Sequence, residues 1–256
     1  TLTVEAREVT ITADNKESVY GTEVVAGTYT VTSGSILAQD LTGLAIVVVI
    51  DSSIINTTTD VKYEAGVVVA YEDVIDITYT EDANYDITIV KGSYKVTPAT
   101  IDLSTVVFND KVTTYNGDVQ TIEAPSLEGI LNSDKVNVNV IGSGIDVDTY
   151  EITVEFTSND TNYVVSIDSL TATLTINKAT YDMSEVVFED KEVTYDGNVH
   201  NILATNLPTG VSATYTVDGN EFSGTATAGT YVILATFTGD AANYNEIPTD
   251  SATLTI

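Results

Sequence analysis

Carboxylate and amide side chains recur at matching positions of successive segments of this sequence. The oxygen atoms of these two side-chain types are the ligands that Ca²⁺ prefers in proteins. Six of them are candidate calcium ligands: Asp102, Asp160, Asn162, Asp182, Asp240 and Asn243. If the segments fold as β-sandwiches, the loop with Asp160 and Asn162 lies at the pole where the chain enters the domain, near Asp102. The spacing therefore suggests the hypothesis that calcium stiffens the junctions between domains, and we predict no other cofactor.

A purely local use of the same residues is the alternative, and we favour it. Asp caps tight turns through its side chain, and Asn accepts the left-handed backbone conformation that many turns require. The sequence contains no Asp-x-Asp-x-Asp-Gly loop, which is the pattern of a dedicated calcium site. Melting with and without a chelator distinguishes the two uses, because an ion that binds only the folded state stabilises it.

Residues suited to catalysis are scarce. The chain has one His, one Met, and no Cys or Trp, which excludes cysteine nucleophiles, disulfides, thiolate metal sites and histidine-cluster zinc sites. His200 occupies the position that Gln120 holds in the preceding segment, and a general base would need an orienting carboxylate and a nucleophile beside it. Acidic pairs for glycoside hydrolysis normally occur once in a chain, whereas these acids recur. We predict that the protein is not an enzyme.

Tyrosines and lysines recur as well. Tyr85, Tyr163 and Tyr244 could line a sugar-binding face, but we favour packing at the corner of a sandwich, with the ring inside and the hydroxyl on the backbone. Lys111 and Lys191 are the candidates for intramolecular isopeptide bonds to Asn. Each such bond would lower the intact mass by one ammonia.

The chain is strongly acidic. Its 256 residues include 38 Asp or Glu and 9 Lys or Arg, so the formal net charge is −29. Phosphate backbones and anionic lipids repel such a chain, and we predict no nucleic-acid partner. No membrane insertion is predicted either, because the longest apolar run, at positions 44–50, is far shorter than the roughly 18 residues of a spanning helix. This run predicts a strand that is buried on both faces.

The pattern of apolar residues is typical of strands. Thr, Val and Ile are abundant, and their branched side chains favour a pleated surface over a helix. Apolar and polar residues alternate over 136–140 and 152–156, and turn sequences such as Asn116-Gly117 separate the runs. We predict an all-β protein of tandem immunoglobulin-like β-sandwich domains arranged end to end. A single large barrel or a β-helix is the alternative. The matching segments 101–122 and 181–202 are 80 residues apart, which is too long a period for one coil of a β-helix.

The sequence also repeats itself. The segments 101–122 and 181–202 are identical at 12 of 22 positions without a gap. The segments 173–176 and 253–256 are both Thr-Leu-Thr-Ile. An Asn-Tyr loop precedes the closing strand of each repeat, at 84–85, 162–163 and 243–244.

These matches predict the domain boundaries. The first repeat spans 5–96, the second spans 97–176 and the third spans 177–256, and we call them repeats 1, 2 and 3. The segment 1–4 has the pattern of a strand and is expected to end a preceding repeat. The three repeats carry formal charges of −10, −10 and −9. Their junctions are short and lack the Gly and Ser of a flexible linker, which predicts rigid connections.

Several motifs of the repeats resemble a known family. Tyr195-Asp196-Gly197, its variant Tyr115-Asn116-Gly117 and the Asp-Ala-Asn-Tyr loops are similar to YDG and MBG-type bacterial immunoglobulin-like repeats. Val19-Tyr20-Gly21 and the closing segment 94–99 make repeat 1 similar to the second MBG group. Repeat 1 departs from the pattern at 61–66, where an expected Gly-Thr-Tyr is replaced by Val-Lys-Tyr-Glu-Ala-Gly.

The resemblance implies a bacterial protein of the cell surface or cell wall, and therefore an extracellular location. We interpret the chain as a non-enzymatic stalk or spacer of an adhesin, in which neighbouring repeats are each other's partners and any glycan or host protein binds outside this fragment. The alternative is that one of these repeats is itself the adhesion module that recognises a glycan or host protein. A binding assay on this chain alone distinguishes the two.

Overall fold

The computed structural model describes all 256 residues, which form twenty strands, one α-helix of four residues and one 3-10 turn. Strands form where apolar and polar residues alternate, because successive side chains of a strand point to opposite faces. In β13 (Thr149–Ser158), for example, Ile152, Val154 and Phe156 are buried while Glu151 and Glu155 are exposed. The prediction of an all-β chain is confirmed.

Repeat 1 contains the first nine strands and the helix α1 (Leu41–Leu44). Its strands are β1 (Arg7–Ala13), β2 (Lys16–Val19), β3 (Tyr29–Ser33), β4 (Val47–Ile50), β5 (Tyr63–Glu64), β6 (Val67–Val68), β7 (Tyr71–Thr78), β8 (Tyr85–Val90) and β9 (Gly92–Thr97). They form a sheet of order β3-β1-β8, a sheet of order β2-β9-β7-β4 and the hairpin β5-β6.

Repeats 2 and 3 have fewer strands. Besides β13, repeat 2 contains β10 (Ala99–Ile101), β11 (Lys111–Thr114), β12 (Val136–Ile141), β14 (Tyr163–Val165), β15 (Ser169–Asn177) and the 3-10 turn Ser133–Lys135. Its sheets have the orders β10-β14 and β11-β15-β13-β12. Repeat 3 contains β16 (Lys191–Glu192), β17 (Ser212–Val217), β18 (Asn220–Glu221), β19 (Thr230–Thr238) and β20 (Asp250–Thr255), in one sheet of order β16-β20-β19-β17-β18.

The three repeats share one pairing pattern. An early strand runs parallel to the closing strand in each repeat, as β2 does with β9, β11 with β15 and β16 with β20. The closing strands of repeats 1 and 3 also pair with an antiparallel neighbour on their other side, as β20 does with β19. This mixture of pairings in short sheets excludes a β-helix and confirms the predicted immunoglobulin-like fold class.

A side-chain hydrogen bond ties the closing strand to the same place in every repeat. The backbone N–H groups of Ser93, Thr173 and Thr253 donate to the side-chain oxygens of Asn15, Asp110 and Asp190, at 2.8, 2.7 and 2.6 Å respectively. The sequence repetition is therefore matched by a repeated tertiary contact, which anchors each closing strand to an earlier part of its repeat.

The chain separates into two compact units. Unit 1 comprises Thr1–Val106, Ser126–Asn139 and Glu155–Ser169, and unit 2 comprises Val107–Pro125, Val140–Val154 and Leu170–Ile256. Residues Ile11, Leu44, Ile75 and Tyr94 are fully buried in unit 1, and Ile152, Leu174, Ile233 and Leu254 in unit 2. The division passes through repeat 2, and the three-domain organisation inferred from sequence stays a prediction.

Two local predictions are wrong. The apolar run 44–50 is not a strand buried on both faces: it begins with the end of α1, and only Val47–Ile50 form β4. Only one face of β4 is partly covered, and on the other face Val47 and Val49 are 54 % and 44 % exposed. The segment 1–6 forms no strand, and Leu2 is 92 % exposed.

The helices of this protein are too short to span a membrane. None of them is long and apolar enough to cross a bilayer.

Candidate functional site

Two asparagine side chains connect successive repeats, and each belongs to the Asn-Tyr loop of the later repeat. Asn162 of repeat 2 is 7 % exposed. Its Oδ1 accepts a hydrogen bond from the backbone N–H of Val61 at 2.7 Å, and its Nδ2 donates to Oδ1 of Asp60 at 2.8 Å. Asparagine can make both bonds because its amide carries an acceptor and two donors at one end. We call this set of contacts joint 1, and all of it lies within unit 1.

The same contacts recur within unit 2, where we call them joint 2. Asn243 of repeat 3 is also 7 % exposed. Its Oδ1 accepts the backbone N–H of Val147 at 2.8 Å, and its Nδ2 donates to Oδ1 of Asp146 at 3.1 Å. The Nδ2 group has a second acceptor here, Oδ2 of Asp240 in its own loop, at 2.9 Å. Both joints therefore bind the same pair of groups, an aspartate and the peptide N–H that follows it.

An aspartate turn shapes each asparagine loop. Oδ1 of Asp160 accepts the backbone N–H of Asn162, and Oδ1 of Asp240 accepts that of Ala242, both at 2.9 Å. Such turns are a regular use of Asp in loops. Hydrogen bonds from the Asn243 side chain and from backbone N–H groups hold the pKa of Asp240 below its ordinary value. The carboxylate is thus kept ionised while it holds the loop in shape.

A tyrosine hydroxyl fixes the opposite half of each joint. The Tyr71 hydroxyl donates to the backbone oxygen of Asp60, and the Tyr150 hydroxyl donates to that of Asp146, both at 3.0 Å. These bonds hold the peptide between the aspartate and the following valine. The N–H of that peptide is consequently presented to the next repeat.

Aromatic rings pack edge to face across both joints. The rings of Tyr20 and Tyr163 lie 5.5 Å apart at 75° in joint 1, and those of Tyr115 and Tyr244 lie 5.5 Å apart at 77° in joint 2. A pair of this geometry contributes about 0.5–1.5 kcal/mol beyond its buried area. Loss of water, together with Tyr244 and the nearby Asp146 carboxylate, raises the pKa of Tyr115.

Each joint also has a contact that the other lacks. In joint 2 the ring of Tyr181 stacks on Tyr244, 3.9 Å away at 13°, and its hydroxyl accepts the backbone N–H of Asp240. Gly239 makes room for this ring, because a Cβ there would overlap it. In joint 1 the hydroxyl of Tyr63, on the hairpin β5-β6, donates to the backbone oxygen of Thr161 at 3.0 Å. The segment in which repeat 1 departs from the family pattern is therefore part of a joint.

The structure places the six predicted calcium ligands in two kinds of surroundings. Asp160 and Asn162 share one loop at joint 1, and Asp240 and Asn243 share one loop at joint 2. Asp102 and Asp182 instead accept the backbone N–H groups of Ser104 and Ser184, two residues on, and these serines lower the pKa of each carboxyl.

The side-chain oxygens of these six residues already accept hydrogen bonds. Both asparagine Oδ1 atoms already accept a peptide N–H, and nowhere in the chain do three or more acidic or histidine side chains converge as metal ligands. Asp160 also lies 3.9 Å from the ammonium of Lys135. Calcium binding stays a prediction.

The other candidate residues have local partners. Nε2 of His200 lies 2.9 Å from Oδ1 of Asp196, and its side chain is only 17 % exposed. Bonds from Asn198, with a further one from His200, lower the pKa of Asp196 to about 2. The ammonium groups of Lys111 and Lys191 are exposed and donate to the backbone oxygens ten residues on. Neither lysine contacts an asparagine side chain in these bonds, as isopeptide formation would require.

The three recurrent tyrosines are not equivalent. Tyr85 has its ring in the core of repeat 1, with its hydroxyl bonded to the Asp40 carboxylate and the Leu37 N–H. Tyr163 and Tyr244 pack across the joints. The Tyr163 ring meets one other tyrosine, and the Tyr244 ring meets two.

Comparisons with known proteins identify similar structures but no family. No protein-family profile and no curated protein matches the sequence. Among solved structures, domains EC1-3 of Drosophila N-cadherin match 71 % of this chain and 74 % of theirs, with 10 % identity and a TM-score of 0.23. The insect immune protein hemolin matches over 94 % and 73 %, with 14 % identity and a TM-score of 0.23. Immunoglobulin domains 1–4 of Sidekick-1 match over 94 % and 71 %, with 10 % identity and a TM-score of 0.19.

Sequence reasoning missed the earlier half of each joint. It singled out both asparagine loops, but not the Asp60–Val61 and Asp146–Val147 segments that they bind. One signal was present: both segments read Asp-Val and precede a recurring tyrosine, Tyr71 or Tyr150. The spacing to that tyrosine differs because repeat 1 inserts the hairpin β5-β6 between the two.

Proposed function

We propose that this chain is a non-enzymatic spacer from the stalk of a bacterial cell-surface or wall-associated adhesin of the YDG/MBG type, and that it acts outside the cell. One observation carries the proposal: two successive junctions use the same interlocking contacts, made by Asn162 at joint 1 and Asn243 at joint 2. A tandem protein whose neighbouring repeats keep one fixed arrangement needs the same contacts at each junction.

Each joint restricts motion because breaking it leaves buried polar groups without partners. Asn162 and Asn243 are nearly inaccessible to water. Separating the repeats a little, without full hydration, would leave the amide and the Val61 or Val147 N–H unpaired, and each such buried group costs about 1–3 kcal/mol. The edge-to-face tyrosine pairs add to this cost. The joint therefore favours one arrangement over a loose one.

The charge of the chain supports the same proposal. Each repeat carries a net charge of −9 or −10, and the chain has no cysteine whose redox state would matter outside the cell. Repulsion between such repeats keeps separate copies apart in solution. Neighbouring repeats of one chain therefore need specific contacts, which the two joints supply.

A competing function is recognition of a glycan or host protein by one of these repeats, and one feature favours it. An open groove of about 390 Å³ lies in unit 2 beside Tyr181 and Tyr244, with Lys178 and Glu246 among its lining residues. Grooves that combine aromatic and charged side chains are common ligand sites. Glycan-array and cell-binding assays on the chain test this: specific binding that Glu246→Ala or Lys178→Ala abolishes would make this repeat an adhesion module.

The spacer function is tested by residual dipolar couplings measured in weakly aligned solution. We expect the residues of repeat 1 and the Asn-Tyr loop of repeat 2 to fit one alignment tensor, and likewise across joint 2. Asn162→Ala should split the fit at joint 1 and Asn243→Ala at joint 2. The matched control is Asn84→Ala, which changes the same loop position where the side chain contacts only its own loop. Separate tensors in the unsubstituted chain would contradict the proposal.

A further inference from the structure

One end of repeat 3, which carries Tyr195, Thr227 and Ala228 and which we call its far pole, has most of the surface that the two joints use. Nothing covers this surface. Tyr195 occupies the position that Tyr20 and Tyr115 hold in repeats 1 and 2. Those two rings pack against the tyrosine of the next repeat, whereas Tyr195 is 62 % exposed. A ring that is packed at two equivalent positions is thus left open at the third.

The backbone half of the joint is also formed at this pole. The Tyr231 hydroxyl donates to the backbone oxygen of Thr227 at 3.0 Å, just as Tyr150 does to Asp146. Ala228 therefore stands where Val147 stands in joint 2. Its N–H makes no hydrogen bond, and Ala228 itself is exposed. The peptide that Asn243 binds in joint 2 is here presented to solvent.

We propose that this pole, formed by Tyr195, Thr227 and Ala228, docks the Asn-Tyr loop of another immunoglobulin-like repeat. The partner's Asn Oδ1 accepts the Ala228 N–H, and its tyrosine packs edge-on against Tyr195. This inference rests on the proposed function, because it extends the joint contacts to a third position. The occupant is chosen because this same surface is covered by such a loop at both joints.

The chemistry of the pole also specifies which loop fits. Thr227 replaces the aspartate of the joints, so the partner's Asn Nδ2 finds no carboxylate here. Asn162 depends on such a carboxylate, whereas Asn243 has a second acceptor in Asp240 of its own loop. The loop of repeat 1 fits poorly, because Tyr85 is buried in its own core. The partner loop is therefore of the Asp240–Tyr244 type, with its own aspartate three residues before the asparagine.

The test is a fusion in which a second copy of the segment 177–256 follows Ile256 of the full chain. NMR amide exchange is measured at Ala228 in the original chain and in the fusion. Docking should slow exchange at Ala228 roughly tenfold or more, because exchange then requires opening of the joint. Asn243→Ala in the appended copy alone should restore fast exchange. Thr227→Asp should slow exchange further, because it supplies the missing acceptor.

Two results separate the failure of this inference from failure of the proposed function. If Ala228 exchanges equally fast in the fusion while Val147 remains protected, the docking inference is overturned and the spacer function stands. If Val147 is unprotected in the original chain, the spacer function fails as well. Should the appended copy show the narrow amide shifts of an unfolded chain, a fusion with the segment 97–256 appended decides, since that segment brings its own joint 2. Its first loop then carries Asn159→Asp, Asp160→Ala and Thr161→Ala, which give it the Asp-Ala-Ala-Asn sequence of the loop at 240–243.

Discussion

The side-chain oxygen of Asn243 lies 2.8 Å from the backbone nitrogen of Val147, 96 residues earlier in the chain. Asn162 makes the same contact with Val61, 101 residues earlier, at 2.7 Å. Asn84, at the matching position of repeat 1, is exposed and its amide donates only to Asp82 within its own loop. One residue type in one loop therefore has two environments: at both joints it contacts the earlier repeat, and in repeat 1 it contacts only its own loop.

Removing the Asn243 amide should destabilise the chain. Asn243→Ala leaves the Val147 N–H without its acceptor in a poorly hydrated contact. We therefore expect the free energy of unfolding of the chain to fall by about 1–3 kcal/mol. Urea denaturation followed by tyrosine fluorescence measures this. Asn84→Ala is the matched control, and an exposed substitution of this kind should change stability by less than about 0.5 kcal/mol. Equal effects of the two substitutions would show that the loop position matters and the joint does not.

The two joint aspartates should differ in importance. Asn162 Nδ2 has Asp60 as its acceptor, whereas Asn243 Nδ2 is shared between Asp146 and Asp240. Asp60→Ala should therefore lower the urea midpoint more than Asp146→Ala, because it leaves the buried Asn162 amide with an unpaired donor. Thr227→Ala, at the matching position of repeat 3, is the control and should have no effect. The reverse order of the two aspartates would contradict the hydrogen-bond assignment.

The edge-to-face pair of joint 2 should contribute measurably. Tyr115→Leu keeps an apolar side chain but loses the ring that packs against Tyr244, and we expect a loss of about 1 kcal/mol. Tyr195→Leu is the same change at an exposed position, and thermal melting should show no loss. A similar drop in melting temperature for both variants would mean that the ring matters within its own repeat.

Tyr63 should matter at joint 1 alone. Tyr63→Phe removes only the hydroxyl that donates to Thr161, so the expected loss is about 0.5–1.5 kcal/mol. Hydrogen exchange should rise in the loop at 160–163 and stay unchanged in the loop at 240–244. Faster exchange in both loops would contradict a role confined to joint 1.

Acid should weaken the turn at Asp196. Hydrogen bonds from Asn198, with a further one from His200, lower the pKa of Asp196 to about 2, so the unfolded chain binds this proton more readily than the folded chain. The stabilisation is present above the ordinary pKa of a free aspartate and is lost as the pH falls from about 4 to about 2. Asp196→Asn should flatten the pH dependence of the urea midpoint in this window. Asp118→Asn, whose carboxylate accepts no hydrogen bond, is the control, and an unchanged slope for Asp196→Asn would refute the assignment.

Much of the candidate site could be found from sequence, but its chemistry could not. The recurrence of Asp160, Asn162, Asp240 and Asn243 identified both loops, because loops that recur at a regular spacing are visible in the sequence alone. The same residue types suit a calcium ion, a local turn and a contact with a neighbouring repeat. Only the fold shows which groups face the asparagine, since its partner Val61 or Val147 is so distant in the chain.

The fold was predictable where local pattern decides and not where tertiary position decides. Alternation over 152–156 indicated a strand because one face of β13 is buried. The run 44–50 misled because continuous apolar residues indicate burial on both faces, whereas one face of β4 is exposed. The hairpin β5-β6 could not be foreseen, because it occupies an insertion with no counterpart in repeats 2 and 3.

The most direct test of the joints is amide hydrogen exchange at Val61 and Val147 in the full chain. We expect both N–H groups to exchange slowly, since each donates to a buried asparagine side chain. Asn162→Ala should accelerate exchange at Val61 and leave Val147 unchanged, and Asn243→Ala should do the opposite. Fast exchange at both positions in the unsubstituted chain, or rates that neither substitution alters, would contradict the claim that asparagine side chains lock successive repeats together.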